Sequence, residues 1–567
     1  MSYLSVALSR SAGLRLRSWL TTQARAHVAL LAAAAALTLA WGGLLLTNKP
    51  TRLVVPKPVA LHSVLTNPGI AEMLASVHWD RVDATPMDSR YEILGFYRGG
   101  RVVATVTVGF NGHVVIIDST DLAREKYEYG ADIANDSRVL AMLTVVFVLM
   151  TAVWPLWRVR NLDVLVVASS TLSVAYYNRG MLTDMALVSY PALAYLGVRC
   201  GWWALGRSRE PAPSMPLYGR LTEGWTTAQR VRILRLVALA MALVVAMVGF
   251  TSTSVLDVGY AVMEGATLII HGVLPYGHIP DVLHGDTYPI GSYLLYVPFA
   301  WLSPVHNVWD DADFTLVVAI VAALLAGAGL WRMAGGTVSR SRQHPPSEGE
   351  GRGLRAAIAW LTFPPLLMTV STGTTDVALA AMLVVALLLW RRPGWSTVVL
   401  SGAAWFKLVP VALVPLLLAR LRGRALVCAA AVLAITSAGM VAILIMLGGL
   451  GAPMRMVNAM SFQFTRGSQR SLWTIIGSVP LQQLAQAATL TLIIGAGIRI
   501  RRCRALASDR ARLAAIAAAA LAGLQISGNY WSDTYLVWVF PFVALSLLAE
   551  VPTRVGGRDT ERSVGSN

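Results

Sequence analysis

The sequence predicts an all-α polytopic membrane protein of about 12 spans, with extra re-entrant or lip helices and a small extracytoplasmic α+β domain. Three observations carry this. Of 567 residues, 56% are hydrophobic and only 14% charged, with a mean hydropathy of +0.59, far from the composition of a soluble domain. Apolar runs of about 20 residues recur along most of the length. One stretch, YEILGFYRGGRVVATVTVGFNGHVVIIDS (91–119), alternates instead at the two-residue period of strands.

Residues 1–47 begin with Arg10, Arg15, Arg17 and Arg25 and no acid before HVALLAAAAALTLAWGGLLLT. The apolar part is long and no small-x-small cleavage site follows it, so an uncleaved signal anchor with a cytoplasmic N-terminus is expected. Residues 48–136 are expected to form the external domain. It has a short helix near GIAEMLASV, then a β-meander turning at Arg98-Gly99-Gly100 and Asn111-Gly112. Residues 137–232 supply additional transmembrane helices and a cytoplasmic loop, 233–549 the main transmembrane module, and 550–567 a cytoplasmic tail. Within them, spans are expected at roughly 138–156, 163–178, 184–204, 233–253, 314–333, 355–371, 376–391, 425–447, 479–499, 511–527 and 533–549.

Charge orients these spans. The net charge of +17 lies in short arginine-rich segments between apolar runs, such as Arg391/Arg392, Arg420–Arg424 and Arg499–Arg512. That is the positive-inside pattern of a plasma-membrane protein, not the footprint of a nucleic-acid binder. Two apolar stretches do not fit as single crossings. YPIGSYLLYVPFAWL (288–302) is short and proline-bounded, and is expected at the outer lip. WSTVVLSGAAWFKLVPVALVPLLLARL (395–421) has internal prolines and arginines near both ends, and is expected as a pair of short or re-entrant helices. Irregular backbone at membrane depth is tolerated only where protein or a cavity covers it. On this topology polar residues gather outside, in 254–313, Ser371–Asp376, 448–471 and Gly528–Asp533. The three cysteines (Cys200, Cys428, Cys503) fall in or beside spans and offer no disulfide framework.

Chemistry-bearing residues follow from those segments. At helical spacing Asp257, Tyr260, Glu264, Thr267 and His271 share a stripe. An Asp at a membrane lip, made more basic by desolvation, suits a general base; the alternative is a capping Asp heading a solvated face. The loop LPYGHIPDVLHGDTYP (274–289) offers Tyr276, His278, Asp286 and Tyr288 for substrate contact. Asp281, His284 and Asp286 are ordinary ligand types for a divalent cation, but their spacing is generic and loop polarity explains them as well. Lys407 is one of only four lysines among 47 basic residues, and the one within the membrane region. An intramembrane cation marks a functional site by default, and a lipid phosphate is its natural partner; snorkelling to the interface is the alternative. FTRGSQRSLW (464–473) brings Arg466, Gln469, Arg470 and Ser471 to the outer side, for an anionic or glycan partner or for lipid headgroups. GNYWSDTY (528–535) adds Asn529, Tyr530, Trp531 and Asp533, a mix that suits a sugar site, although an interfacial aromatic belt also accounts for Trp531.

Taken in order over 233–549, these pieces resemble a known family. They are an Asp outside a span, a G-x-x-P-Y element, a Tyr-Pro-initiated stretch ending P-x-x-W-L, GAAWFKLVPVALVPLLL, GSQRSLWTIIG and NYWSDTYLVWVFP. The set is similar to the polyprenol-phosphate-dependent mannosyltransferases of glycosyltransferase family 87, in the GT-C superfamily. The resemblance implies a GT-C-like fold and inverting transfer from a polyprenyl-phosphate sugar to a lipid or glycan acceptor on the outer face. It implies Asp257 as base, Lys407 and Arg466 near the donor phosphate, and no cofactor. The chain departs from the family pattern at Ile290, Arg470, Asp533 and Thr534. No Walker or dinucleotide loop is present, in keeping with a donor that is not a nucleotide. A transporter or flippase of lipid-linked sugars is the chief rival, and a non-catalytic assembly protein working through 48–136 the third reading. On the transferase reading the first four spans and that domain lie outside the resemblance and are available for acceptor choice or partner docking.

Overall fold

The computed structural model describes residues 53–86, 91–99, 101–109, 112–118, 134, 136–178, 181–205, 215–252, 255–279, 282, 284–306, 310–336, 347–465 and 470–548. The expected signal anchor and cytoplasmic tail lie outside these residues.

The small domain comes first. Helices α1 (Lys57–Leu65) and α2 (Pro68–Val77) each start at a proline in the first turn, where the missing N–H costs nothing. Strands β1 (Arg81–Pro86), β2 (Tyr91–Arg98), β3 (Arg101–Gly109) and β4 (Val114–Asp118) form one antiparallel sheet in sequence order. The alternation read in the sequence is visible in the packing. Leu94, Phe96, Ala104, Val106 and Val108 turn inward against Ala60, Val64, Ile70 and Leu74, with Trp79 edge-on to Phe96 at 5.2 Å. Gly99 and Gly112, both at positive φ, make the two expected turns. Strand β1 and helix α1 were not expected: RVDATP has no clean alternation and ends in proline.

The rest is helical. Helices α3 (Ser137–Thr151), α4 (Val159–Ala168), α5 (Ser170–Tyr177), α6 (Leu182–Leu205) and α7 (Leu217–Leu221) precede α8 (Thr227–Phe250). Next come α9 (Asp257–Ile270), α10 (Ile290–Ala300), α11 (Phe314–Met333), α12 (Glu348–Leu361), α13 (Pro364–Ser371) and α14 (Asp376–Leu388). Helix α15 (Pro393–Phe406) leads through a 3₁₀ turn, Val409–Leu413, to α16 (Val414–Arg420). The series ends with α17 (Gly423–Gly448), α18 (Ala452–Thr465), α19 (Leu472–Ile476), α20 (Val479–Arg502), α21 (Arg504–Ser508), α22 (Arg510–Ser527) and α23 (Leu536–Val543). Several starts are set by side chains. Asp136 accepts from Arg138 N, Thr226 and Gln229 form a reciprocal capping box, and Asp509 accepts from the N–H groups of residues 511 and 512.

Span number is where expectation and structure part. Among the described residues, α8, α11, α17 and α20 are long and apolar enough to cross a membrane, five if the bent pair α12–α13 counts as one span. These identify a membrane protein, but about twelve spans are not reached. The expected span 355–371 is bent by 55° where Thr362-Phe363 meets two prolines. The expected 163–178 is broken at Ser169 into two short helices, and 376–391 is a 13-residue helix. Both irregular stretches lack a single long helix, as expected: α10 is an 11-residue helix, and 395–421 is broken at Lys407 into two short helices.

One crossing is very tight. A Cβ on Gly291 of α10 would lie 2.5 Å from the Trp405 carbonyl oxygen of α15, and the neighbouring Ser292 hydroxyl donates to Phe406 O. Backbone cannot yield as a side-chain tip can. Gly291→Ala is expected to destabilise by about 1–3 kcal/mol. Gly402→Ala, on the open face of α15, is expected to stabilise by about 0.5–1 kcal/mol. Unfolding in detergent compares the two, and equal effects would contradict the tight crossing.

Candidate active site

The loop before α10 is held by its own polar groups. Tyr276 is buried and donates to Tyr288 O at 2.9 Å; Asp286 accepts from Gly277 N at 3.0 Å; the Tyr293 hydroxyl donates to Gly285 O at 2.9 Å. Burial, reinforced by the Asp286 carboxylate, pushes the Tyr276 phenol well above its ordinary value, so it acts as a neutral donor. His284, at positive φ, stacks on Phe462 at 3.5 Å, while His278 is exposed. Tyr276 and Asp286, expected at a substrate, therefore also fix the loop. Asp281 lies outside the described residues, and no group of three or more His, Cys, Asp or Glu among those described is placed to hold a metal.

The Asp257 stripe is divided. Asp257 opens α9, is exposed, and accepts from Val258 N at 2.9 Å. The desolvation expected of it is therefore absent. Tyr260, Glu264 and Thr267 are buried, with Thr267 accepting from Val305 N at 3.0 Å, so this part of the stripe is not a solvated face either. His271, at the far end, is exposed.

The segments expected on the outer face do come together. Asn529 donates to Gln463 O at 3.2 Å, and Gln463 donates to Thr287 at 2.6 Å. Ser471 caps α19 and donates to Gly528 O at 3.2 Å. Tyr530 is half-buried, 6.2 Å from the Tyr535 ring. Two expectations are corrected. Trp531 is fully buried, donates to Gln525 at 3.2 Å and packs 5.3 Å from Tyr190, so it is neither a sugar platform nor part of an interfacial belt. Asp533 is also fully buried, taking hydrogen bonds from Ser173 at 2.5 Å and Ser189 at 3.4 Å; it ties α5 and α6 to the final helices instead of meeting solvent. Arg466 and Gln469 lie outside the described residues.

Lys407 sits where α15 stops. Its backbone is extended, and its ammonium donates to Asp376, the first residue of α14. The two side chains are 12% and 4% exposed, so this is a buried ion pair. The ammonium also lies 4.9 Å from the Trp538 ring centroid and 5.2 Å from that of Tyr535, a cation–π arrangement on its other side. Thr374 and Thr375 precede the carboxylate, and the Tyr296 phenol lies within its electrostatic reach. The Thr374, Thr375 and Tyr296 hydroxyls and the Trp538 indole N–H are buried without a hydrogen-bond partner. Buried polar atoms are normally paired, and here four without a hydrogen-bond partner among the described residues lie around one ion pair.

The loop Ser371–Asp376 connects the parts. Leu256 N donates to Thr372 O at 2.9 Å, so this loop touches the start of the Asp257 helix at one end and carries the Lys407 partner at the other. A cavity of about 420 Å³ opens between Pro289, Trp405, Leu408, Val411, Met456 and Met460, with Trp405 and Leu408 flanking Lys407 in the chain. Its nearby polar groups satisfy one another: Ser401 pairs with Thr436 at 2.5 Å and Trp405 donates to Ser437 at 3.2 Å. The wall is left apolar. The sequence points to Lys407 but not to Asp376, Tyr296, Tyr535 or Trp538 as its surroundings. The signal for Asp376 was an acid heading the apolar run DVALAAMLVVALL.

The pair makes a direct prediction. Lys407→Met or Asp376→Leu alone leaves a buried charge and is expected to cost roughly 3–5 kcal/mol. The double variant is expected to recover most of that loss in a double-mutant cycle of unfolding free energies. Simple addition of the two losses would contradict the pairing.

Residues 287–528 match the family model of glycosyltransferase family 87, and no curated protein and no solved structure matches. The matched region contains Asp376, Lys407 and the whole lining of the apolar cavity, and excludes Asp257, Tyr276, Asp286 and Asp533. Over residues 287–528, a little under half of the chain, the protein is similar to glycosyltransferase family 87.

Proposed function

We propose that the protein is an inverting membrane hexosyltransferase. It moves a sugar, mannose on the family pattern, from a polyprenyl-phosphate donor to a lipid-linked or cell-envelope glycan on the extracytoplasmic face of the plasma membrane. The observation that carries this is a buried ammonium, with unpartnered polar groups around it, on the residue whose chain neighbours Trp405 and Leu408 line an apolar cavity. A polyprenyl-phosphate sugar has the same division: an anionic centre joined to hydrocarbon. Its phosphate would meet Lys407, and its prenyl chain would lie along Trp405, Leu408, Val411 and Val414.

The chemistry needs few groups. An acceptor hydroxyl attacks the anomeric carbon as the bond from that carbon to the phosphate oxygen breaks. The electron pair leaves on polyprenyl phosphate, and the hydroxyl proton passes to a base. Lys407 faces the charge that builds on the leaving phosphate, where a positioned cation is worth most. Asp376 fixes that ammonium in place and is a positioning residue. Asp257, exposed at the head of α9 and linked to the same loop through the Leu256–Thr372 contact, is the base. No step requires a nucleotide or a metal.

Protein in nanodiscs, given radiolabelled polyprenyl-phosphate mannose and a membrane lipid extract, is expected to form labelled product. Asp257→Asn, folded as judged by its unfolding temperature, is expected to lose about 100-fold or more in rate. Transfer by Asp257→Asn at the wild-type rate would remove Asp257 as base. A wild-type protein that transfers from a sugar nucleotide but not from the lipid donor would overturn the donor class.

A further inference from the structure

The family region has a second cavity at the other end of α15. That helix carries the chain about 21 Å from Arg392 to Lys407, and the stretch from Val409 to Arg420 brings it back. Beside Arg420 a cavity of about 90 Å³ is walled by Leu383, Leu387, Leu400, Leu416, Ile516 and Phe542. Trp390 and Arg420 stand in its lining, with the Arg420 guanidinium 4.9 Å from the Trp390 ring centroid and that of Arg391 5.8 Å from the same ring. Arg510, which donates to Met333 O at 2.6 Å, is within electrostatic reach of Arg391. Among the described residues no carboxylate forms an ion pair with Arg391, Arg420 or Arg510.

We propose that this cavity is a binding site for an anionic glycerophospholipid, with its phosphate on Arg420 and Arg391 and part of one acyl chain between α14, α15, α16 and α22. The charge pattern selects that occupant. Arg420 lines the cavity, Arg391 approaches the same Trp390 ring, and Arg510 lies within electrostatic reach of Arg391, none of them in an ion pair with a carboxylate among the described residues; planar guanidinium groups take a phosphate through paired donors. Basic pockets between membrane helices on the arginine-rich side recognise acidic headgroups in this way, while the same rim repels a choline. Trp390 is held under both guanidinium groups and fixes their approach. The site is separate from the Lys407 cluster and independent of the proposed transfer reaction. Because α15 and α16 contribute to the walls of both cavities, lipid bound here would brace the break at Lys407 from behind.

The test is lipid retention by delipidated protein in detergent, counted by native mass spectrometry with phosphatidylglycerol or phosphatidylcholine added back. Wild type is expected to retain phosphatidylglycerol about tenfold over phosphatidylcholine, and Arg420→Gln to lose about fivefold of that retention. Ala517→Leu, which fills the cavity and leaves the rim intact, is expected to lose retention too, and it carries the test if Arg420→Gln fails to fold. Equal retention of the two lipids, or unchanged retention in folded Arg420→Gln or Ala517→Leu, would overturn the proposal. So would displacement of phosphatidylglycerol by polyprenyl phosphate in a Lys407→Gln background, which would make this a substrate cavity.

Discussion

The Lys407 ammonium, held between the Asp376 carboxylate and the Tyr535 and Trp538 rings, is the contact around which the family region is arranged. A charge at this depth is tolerable only if it is paired, and the pairing constrains three elements at once. Helix α15 must end at Lys407, with the backbone extended there and prolines at 410 and 415 keeping the continuation irregular. Helix α14 must begin at Asp376, where a carboxylate also meets the positive end of the helix dipole. The final helices must bring their aromatic faces to the other side. The interruption in α15 then leaves room for the apolar cavity, so cation and cavity are two consequences of one break.

The remaining polar segments are fitted around that centre. The Asn529–Gln463–Thr287 chain joins three of them, and the Leu256–Thr372 contact brings in the fourth. The added helices α3 to α6 are part of the same core. Helix α6 packs along α22 with Gly197 facing Ala522, and Ser173 and Ser189 hold the buried Asp533. The β domain has a hydrophobic cluster of its own.

What the sequence made legible is what depends on neighbours in the chain. The alternation of 91–119 and its glycine turns predicted three of four strands, because a strand's inward face is written at every second residue. The internal prolines of 395–421, with arginines near both ends, predicted a broken helix for the same local reason. Helix length was less legible, since apolar composition continues through Thr362-Phe363 and Ser169 where the helices bend or break. Pairing across the fold was not legible at all. Asp376 and Lys407 are 31 positions apart, and only packing shows that one answers the other. Trp531 and Asp533 were placed outside because polar residues cluster around them, whereas Gln525, Ser173 and Ser189 satisfy both in the interior.

The central claim is that Lys407 awaits a phosphate attached to hydrocarbon. Its most direct test is binding of polyprenyl phosphate, against the parent polyprenol, to wild type and Lys407→Gln in the same detergent. The account predicts that wild type prefers the phosphate by about tenfold or more, the scale of one charged hydrogen bond, and that the variant binds both alike. A phosphate preference that survives intact in Lys407→Gln would contradict it.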